Sequence, residues 1–252
     1  MTVLLPTSPL RPSHRRSIGA AFLAGVAVAI AAFSAPAFAG YDKPVATKKA
    51  TSKDGQESIC TDYGDVAVIE SRDGPSAAPA RLVSGDGARC GAAAAKRGRE
   101  LPTADMGLEG RAGPVLIFTQ MDAHGAVDFT VVRIRDGQVL VKEAVVGDPA
   151  FKSVTVRRDG SVVLTYRRGV NASCSLHQNA SACWAQMVEE GSVPREMAKQ
   201  APQGSACKAA YAAMSAPRDA PSIAEWEQET TIEFEGPITR RISGAVGCGV
   251  LP

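Results

Sequence analysis

The longest apolar run in the chain lies near its N-terminus, from Ile18 to Phe33, and is built mostly of Ala, Val and Gly with no charge. Arg11, His14, Arg15 and Arg16 precede it, and the small-x-small triplet Ala37-Phe38-Ala39 follows. A basic stretch, an apolar stretch and a small-residue cleavage site are the three parts of a secretory leader. Residues 1–39 are therefore expected to be a signal peptide that is removed. The run is about long enough to span a bilayer, but weakly hydrophobic Ala and Gly dominate it and a cleavage triplet closes it. Both points favour cleavage over a lasting membrane anchor. No Cys follows the triplet, so a lipoprotein anchor is not expected. Arg15-Arg16 raises the twin-arginine route, which His14 and Ser17-Ile18-Gly19 around it fit poorly. The Ala-rich leader suits a bacterial chain, which points to the periplasm or the exterior.

Downstream, the pattern divides the chain into a lead-in and a folded part. Residues 40–58 are polar without an apolar period and read as a flexible N-terminal segment. Residues 59–252 read as a single disulfide-stapled domain. Val66, Val68 and Ile69 suggest a short strand, Asp73-Gly74-Pro75 a turn, and Arg81-Leu82-Val83 another strand. Ala92 to Arg99 suits a short helix with its basic residues near the C-terminal end. Val115 to Thr119 is continuously apolar, the pattern of a strand covered on both faces.

Two Asp-Gly pairs follow, at Asp136-Gly137 and Asp159-Gly160, each between Val-rich segments. Asp-Gly favours a two-residue type I′ hairpin. That turn would set Ile134 opposite Val139 and Val132 opposite Val141, with all four on one buried face. In the second hairpin it would set Val156 opposite Val163, Val154 opposite Thr165 and Lys152 opposite Arg167. From Cys174 to Met187 and from Pro194 to Gln200 the character becomes helical. Ser205 is a fair N-cap for a helix to Ser215, with Cys207, Tyr211 and Met214 on one face. Thr230 to Glu235 alternates, and Gly236-Pro237 turns it back into Ile238–Ser243. The expected fold is α+β: a mainly antiparallel meander sheet over about 64–168 and 228–246, with short helices packed on one side.

Charge alters the picture once the leader is set aside. It holds three of the 28 basic residues and none of the 26 acidic ones, so the remainder is close to neutral. Nothing there calls for nucleic acid or an anionic membrane as partner. Aromatic residues make up 5% of the chain, which offers little for a sugar-stacking cleft.

All six cysteines follow the leader: Cys60, Cys90, Cys174, Cys183, Cys207 and Cys248. An even count in an exported chain reads as disulfides, and six cysteines allow 15 pairings. Nearest-neighbour pairing is the favoured set, joining Cys60 to Cys90, Cys174 to Cys183 and Cys207 to Cys248. Cys174 and His177 have a ligand-like spacing, but no second metal-binding pair follows. No C-x-x-C occurs, which argues against a thioredoxin-type oxidoreductase.

Catalytic chemistry is hard to find. Beyond the leader the histidines are His124 and His177. G-x-S-x-G, H-E-x-x-H, Walker A, G-x-G-x-x-G and EF-hand patterns are absent. Neither a catalytic residue nor a cofactor nor a metal is assigned. Lys152, Arg157, Arg158, Arg167 and Arg168 cluster along the second hairpin and form a candidate anion or partner patch, because like charges facing one another favour an acidic counterpart. The function expected is non-catalytic binding through a protein surface, inhibitor-like, with another envelope or secreted protein as partner. The alternative is a hydrolase of envelope polymers whose site is assembled from scattered residues. Intact-mass measurement of the exported protein is expected to place its first residue at Gly40; a mass that retains residues 18–33 would show an uncleaved anchor instead.

Overall fold

A computed structural model of the chain describes residues 38–51, 55–71, 78–85, 90–120 and 126–251. Strands β1 (Phe38–Ala39), β2 (Ala46–Thr51), β3 (Glu57–Asp62), β4 (Val66–Ser71) and β5 (Arg81–Ser84) lead into helix α1 (Ala92–Arg97) and strand β6 (Arg99–Glu100). There follow β7 (Met106–Ala112), β8 (Val115–Gln120), β9 (Val127–Arg133), β10 (Val139–Val145), β11 (Phe151–Val156) and β12 (Val162–Asn171). Helices α2 (Ala180–Glu189) and α3 (Gly204–Ala213) flank a single 3-10 turn at Arg195–Met197, and the long strands β13 (Ser222–Ile232) and β14 (Ile238–Val250) finish the chain. The structure is thus mainly antiparallel sheet with short helices, and three disulfides staple it: Cys60–Cys90, Cys174–Cys183 and Cys207–Cys248.

Strand β8 shows why the fold has two layers of strand. Its residues Val115, Leu116, Ile117 and Phe118 are all buried. Successive side chains of a strand point to opposite faces. Val115 and Ile117 join one core with Phe129, Val131, Val141, Val154, Leu164 and Tyr166. Leu116 and Phe118 join another with Val66, Val68, Leu82, Leu101 and Val132. The first core lies within the sheet β11-β12-β10-β9-β8-β7. The second lies between β8–β9 and a separate five-stranded sheet of order β2-β3-β4-β5-β6. The single sheet expected from residue 64 onward is therefore two, because one wall is apolar on both sides. The buried Glu70 of β4 fastens the layers by accepting a hydrogen bond from Leu108 N of β7 (2.7 Å).

The large sheet returns on itself through residues 40–42. Gly40 N donates to Val154 O of β11, and Asp42 N donates to Arg111 O of β7, both at 2.7 Å. The Asp42 carboxylate then takes Arg111 Nε (3.1 Å) and Gly113 N (3.2 Å). Between these anchors Tyr41 packs against the first core. Only glycine fits beneath it: a Cβ on Gly110 would stand 2.5 Å from Tyr41 Cδ1.

The segment read as a flexible lead-in over 40–58 holds this strap, strand β2 and the start of β3. β2 lacks an apolar period because it is an edge strand exposed almost throughout, held by its backbone pairing with β3. The Asp73-Gly74-Pro75 turn lies outside the described residues.

Both Asp-Gly hairpins form, with longer loops than the expected two residues. Arg133 N donates to Gln138 O and Gly137 N to Arg133 O, which closes a loop over residues 134–137. Gly137 has a positive φ (70°) and Asp136 does not, so the type I′ turn, which needs two such residues, is not made. Asp136 instead accepts from Arg133 Nε (3.0 Å) and Gln138 N (3.1 Å). Val132 consequently pairs with Val139, and Val131 with Val141. Val132 and Val141, expected on one face, enter different cores, and Val139 is 37% exposed. In the second hairpin Gly160 N donates to Arg157 O and Arg157 N to Ser161 O, leaving three residues in the loop, with Gly160 at φ 81°. The added residue slides the register by one, so Val156 pairs with Val162 and Val154 with Leu164. A one-residue slip exchanges the faces of a strand, and Leu164 and Tyr166 thereby reach the core.

In the later part, Trp184, Met187, Cys207 and Tyr211 cluster with Ala224, Trp226, Val246 and Cys248. Asn179 caps α2 by accepting from Ala182 N. The residue before α3 is Gln203 rather than the expected Ser205, and Met214, expected on one helix face with Cys207 and Tyr211, follows the helix end and is 57% exposed while those two are buried. Both differences follow from α3 beginning and ending a residue or two earlier than the expected helix.

Gly110→Ala is expected to destabilise the protein by about 1–3 kcal/mol, the usual cost of overpacking. Urea denaturation should show that most of this penalty disappears in a Tyr41→Ala background, because the two closest approaches are to ring atoms of Tyr41.

Candidate functional site

The basic hairpin resolves into two groups. Arg167 lies opposite Glu227 across β12 and β13. Its guanidinium reaches Glu225 (3.5 Å) and Glu227 (3.9 Å), and Lys152 Nζ lies 2.5 Å from the same Glu227. Lys152 does not stand opposite Arg167 as expected: it falls at the bulge between Phe151 and Ser153, and β13 of the same chain supplies the counter-charge of both cations. Arg157 stands near the turn, where its charge, after the hydrogen bonds from Ser161, helps to hold the Asp159 carboxyl below its ordinary value. Arg158 lies in the loop beside it. Arg168 turns the other way, toward the interior, with its guanidinium over the Trp226 ring at 5.5 Å. The five residues named from the sequence do not share one surface.

Arg168 leads to the most elaborate polar cluster among the described residues. Glu143 sits on β10 between the inward-facing Val141 and Val145, and its side chain is 4% exposed. Glu143 Oε2 accepts from Tyr166 OH (2.5 Å), Gln228 Nε2 (2.7 Å) and Arg168 Nη1 (2.9 Å). Its Oε1 accepts from Arg240 Nε (2.5 Å). Tyr166 OH also lies 2.9 Å from Thr230 Oγ1. Burial first, and then the Glu143 charge, push the Tyr166 phenol well above its usual range, so it remains a proton donor. One carboxylate therefore joins β10, β12, β13 and β14. With its oxygens engaged by four donors, it is a pin and not a poised general base. Its sequence signal was a Glu on the apolar parity of β10.

Among the described residues, His177 has no nucleophile poised beside it. His124 lies outside the described residues. His177 Nδ1 is 3.2 Å from Gly204 O, and its ring rests on Tyr211 with centroids 4.8 Å apart. The adjacent buried hydroxyls are committed to holding backbone: Ser175 Oγ donates to Arg218 O (2.5 Å), and Tyr211 OH to Ala220 O (2.6 Å). Among the described residues, no group of three or more His, Cys, Asp or Glu is placed to hold a metal.

One surface concavity lies on the five-stranded sheet, among others lined by Tyr41, Phe151 and Val154, by Leu101, Met106 and Lys142, and by Pro202, Gln203 and Val246. The six-residue helix α1 rests on the outer side of β5, where Arg81 Nη1 donates to Ala95 O (3.4 Å) and Gly98 fits against Val83. It is too short to cover the neighbouring strands as well. Over β2 and β3 the outer side stays open as a groove of about 350 Å³. Ala50, Ile69, Ala95 and the Cys60–Cys90 bridge give it an apolar floor, and Lys48, Lys49, Thr51 and Ser58 provide the polar part of its lining. The bridge ties the chain just before α1 to β3, so the groove's far wall is covalently attached to its floor.

Glu143→Ala is expected to cost about 3–5 kcal/mol, since it leaves Arg168 and Tyr166 buried without their acceptor. The exposed Arg111–Asp65 pair (Nη2 to Oδ2 3.0 Å) should be worth about 0–1 kcal/mol in an Asp65→Asn variant. Denaturation midpoints measured side by side test that ranking. No protein-family model, curated protein or solved structure matches the chain.

Proposed function

We propose that this chain is an exported, non-catalytic binding protein that works in the periplasm or beyond the cell and engages another protein through the groove beside α1. The observation that carries this reading is the groove itself: an apolar floor, a polar lining and an edge strand along one side. Those are the parts of a peptide-recognition surface. The polar clusters described elsewhere are occupied with internal partners, whereas this groove runs beside the edge strand β2. Three disulfides agree with an oxidising compartment and give the groove a stiff frame. No described helix is long and apolar enough to cross a membrane.

A photo-crosslinking residue placed at Thr51, with the protein exported in its own cells, is expected to give a discrete protein adduct. The same probe at Arg158, in the loop of the other sheet, is expected to give none. Equal adducts from both positions, or none from Thr51, would overturn the groove as the binding surface. Turnover of an envelope polymer by the purified protein, lost in a point variant, would overturn the non-catalytic reading.

A further inference from the structure

We infer that the partner segment is extended and acidic, and that it adds to β2 as a further strand of the five-stranded sheet; this rests on the groove being the binding surface. Three observations converge on that partner. β2 is an edge strand, paired only with β3 among the described residues, so a row of backbone donors and acceptors faces outward beside the groove. Strand addition satisfies such an edge, and the pockets alongside then select side chains.

The charged side chains among the described residues that line the groove are both cationic, Lys48 and Lys49. Lys48 and Lys49 on β2 and Lys96 and Arg97 at the end of α1 are exposed, and none of the four makes an ion pair among the described residues. Among the described residues, the acids nearby are turned away or engaged. Glu100 is bound to Arg81 (3.1 Å), and Asp62 accepts from Gly64 N (2.8 Å) at the far end of β3. Glu57 alternates onto the opposite face of β3 from Cys60, the face that Lys49 shares, while Lys48 stands over Cys60.

The same charges argue against a second copy as the occupant. Two β2 edges running antiparallel would bring Lys48 and Lys49 of each chain against those of the other, an arrangement that edge lysines commonly prevent. An acidic strand meets no such barrier. Its backbone would follow β2, alternate apolar side chains would enter the floor formed by Ala50, Ile69 and the disulfide on the face that Lys48 shares, and the carboxylates between them would meet Lys49 on the other face.

The test uses a phage library of random dodecapeptides selected on the leaderless protein, with Ala50→Trp as a variant that fills the groove from an exposed position. Enriched peptides are expected to be rich in Asp and Glu alternating with apolar residues. A synthetic copy of one should bind at least tenfold more weakly to Ala50→Trp and to Lys48→Glu/Lys49→Glu, and more weakly as salt rises. On binding, hydrogen exchange at the amides of β2 should slow. Neutral or basic peptides that are still lost with Ala50→Trp would overturn the acidic partner and leave the groove reading standing. Acidic peptides that bind without slowing exchange in β2 would overturn strand addition. No enrichment, or enrichment indifferent to Ala50→Trp, would overturn both.

Discussion

Burial of strand β8 on both faces is the constraint from which the architecture follows. A strand whose two sides are equally apolar has to be covered twice. One cover is the rest of its own sheet, which curls until Gly40–Asp42 bridges β11 and β7. The other is the five-stranded sheet, whose Val66, Val68 and Leu82 meet Leu116 and Phe118. Full burial of side chains of this size stabilises by about 1.5–3 kcal/mol each. Four in succession make a large contribution against a net stability of about 5–15 kcal/mol. The two layers are therefore held by hydrophobic area, and polar contacts such as Glu70 to Leu108 N fix how they sit.

Where polar groups enter the interior around Glu143, they bond to one another, with Arg168 Nε left without a partner. Glu143 lies between the aromatic core around Phe129, Phe151 and Tyr166 and the cluster around Trp184 and Trp226. Its four donors come from three other strands, so displacing any one strand would strand a buried charge. The disulfides act at different places. Cys207–Cys248 joins α3 to the end of β14, and Cys174–Cys183 closes a nine-residue separation before and within α2. Cys60–Cys90 reinforces the edge of the small sheet, where few apolar contacts are available. In each case the bridge acts mainly by limiting the unfolded chain.

The groove is a by-product of proportion. A helix of six residues spans about 9 Å, and strands in a sheet lie about 4.8 Å apart. α1 thus covers the neighbourhood of β5 and leaves β2 and β3 bare. The same bareness made β2 unreadable in the sequence, since neither of its faces is buried enough to impose an alternation.

Local chemistry was legible in the residues alone. The even cysteine count and the advantage of closing short loops pointed to the three pairs that form. The unbroken apolar run at 115–119 announced a strand covered on both sides, and Asp-Gly marked both hairpins. Register was not legible, because Asp-Gly serves a two-residue turn and also the three- and four-residue loops found here. The choice rests on Arg133 reaching Asp136, on Ser161 reaching Asp159 and on which valines the core accepts. Nor could spacing show that β4 and β5 leave the large sheet, that Glu143 gathers four donors, or that Glu225 and Glu227 neutralise Lys152 and Arg167. Those outcomes depend on residues tens of positions apart meeting across strands. Only the tertiary structure decided them, because a strand's own pattern records which faces are buried and not which neighbour buries them.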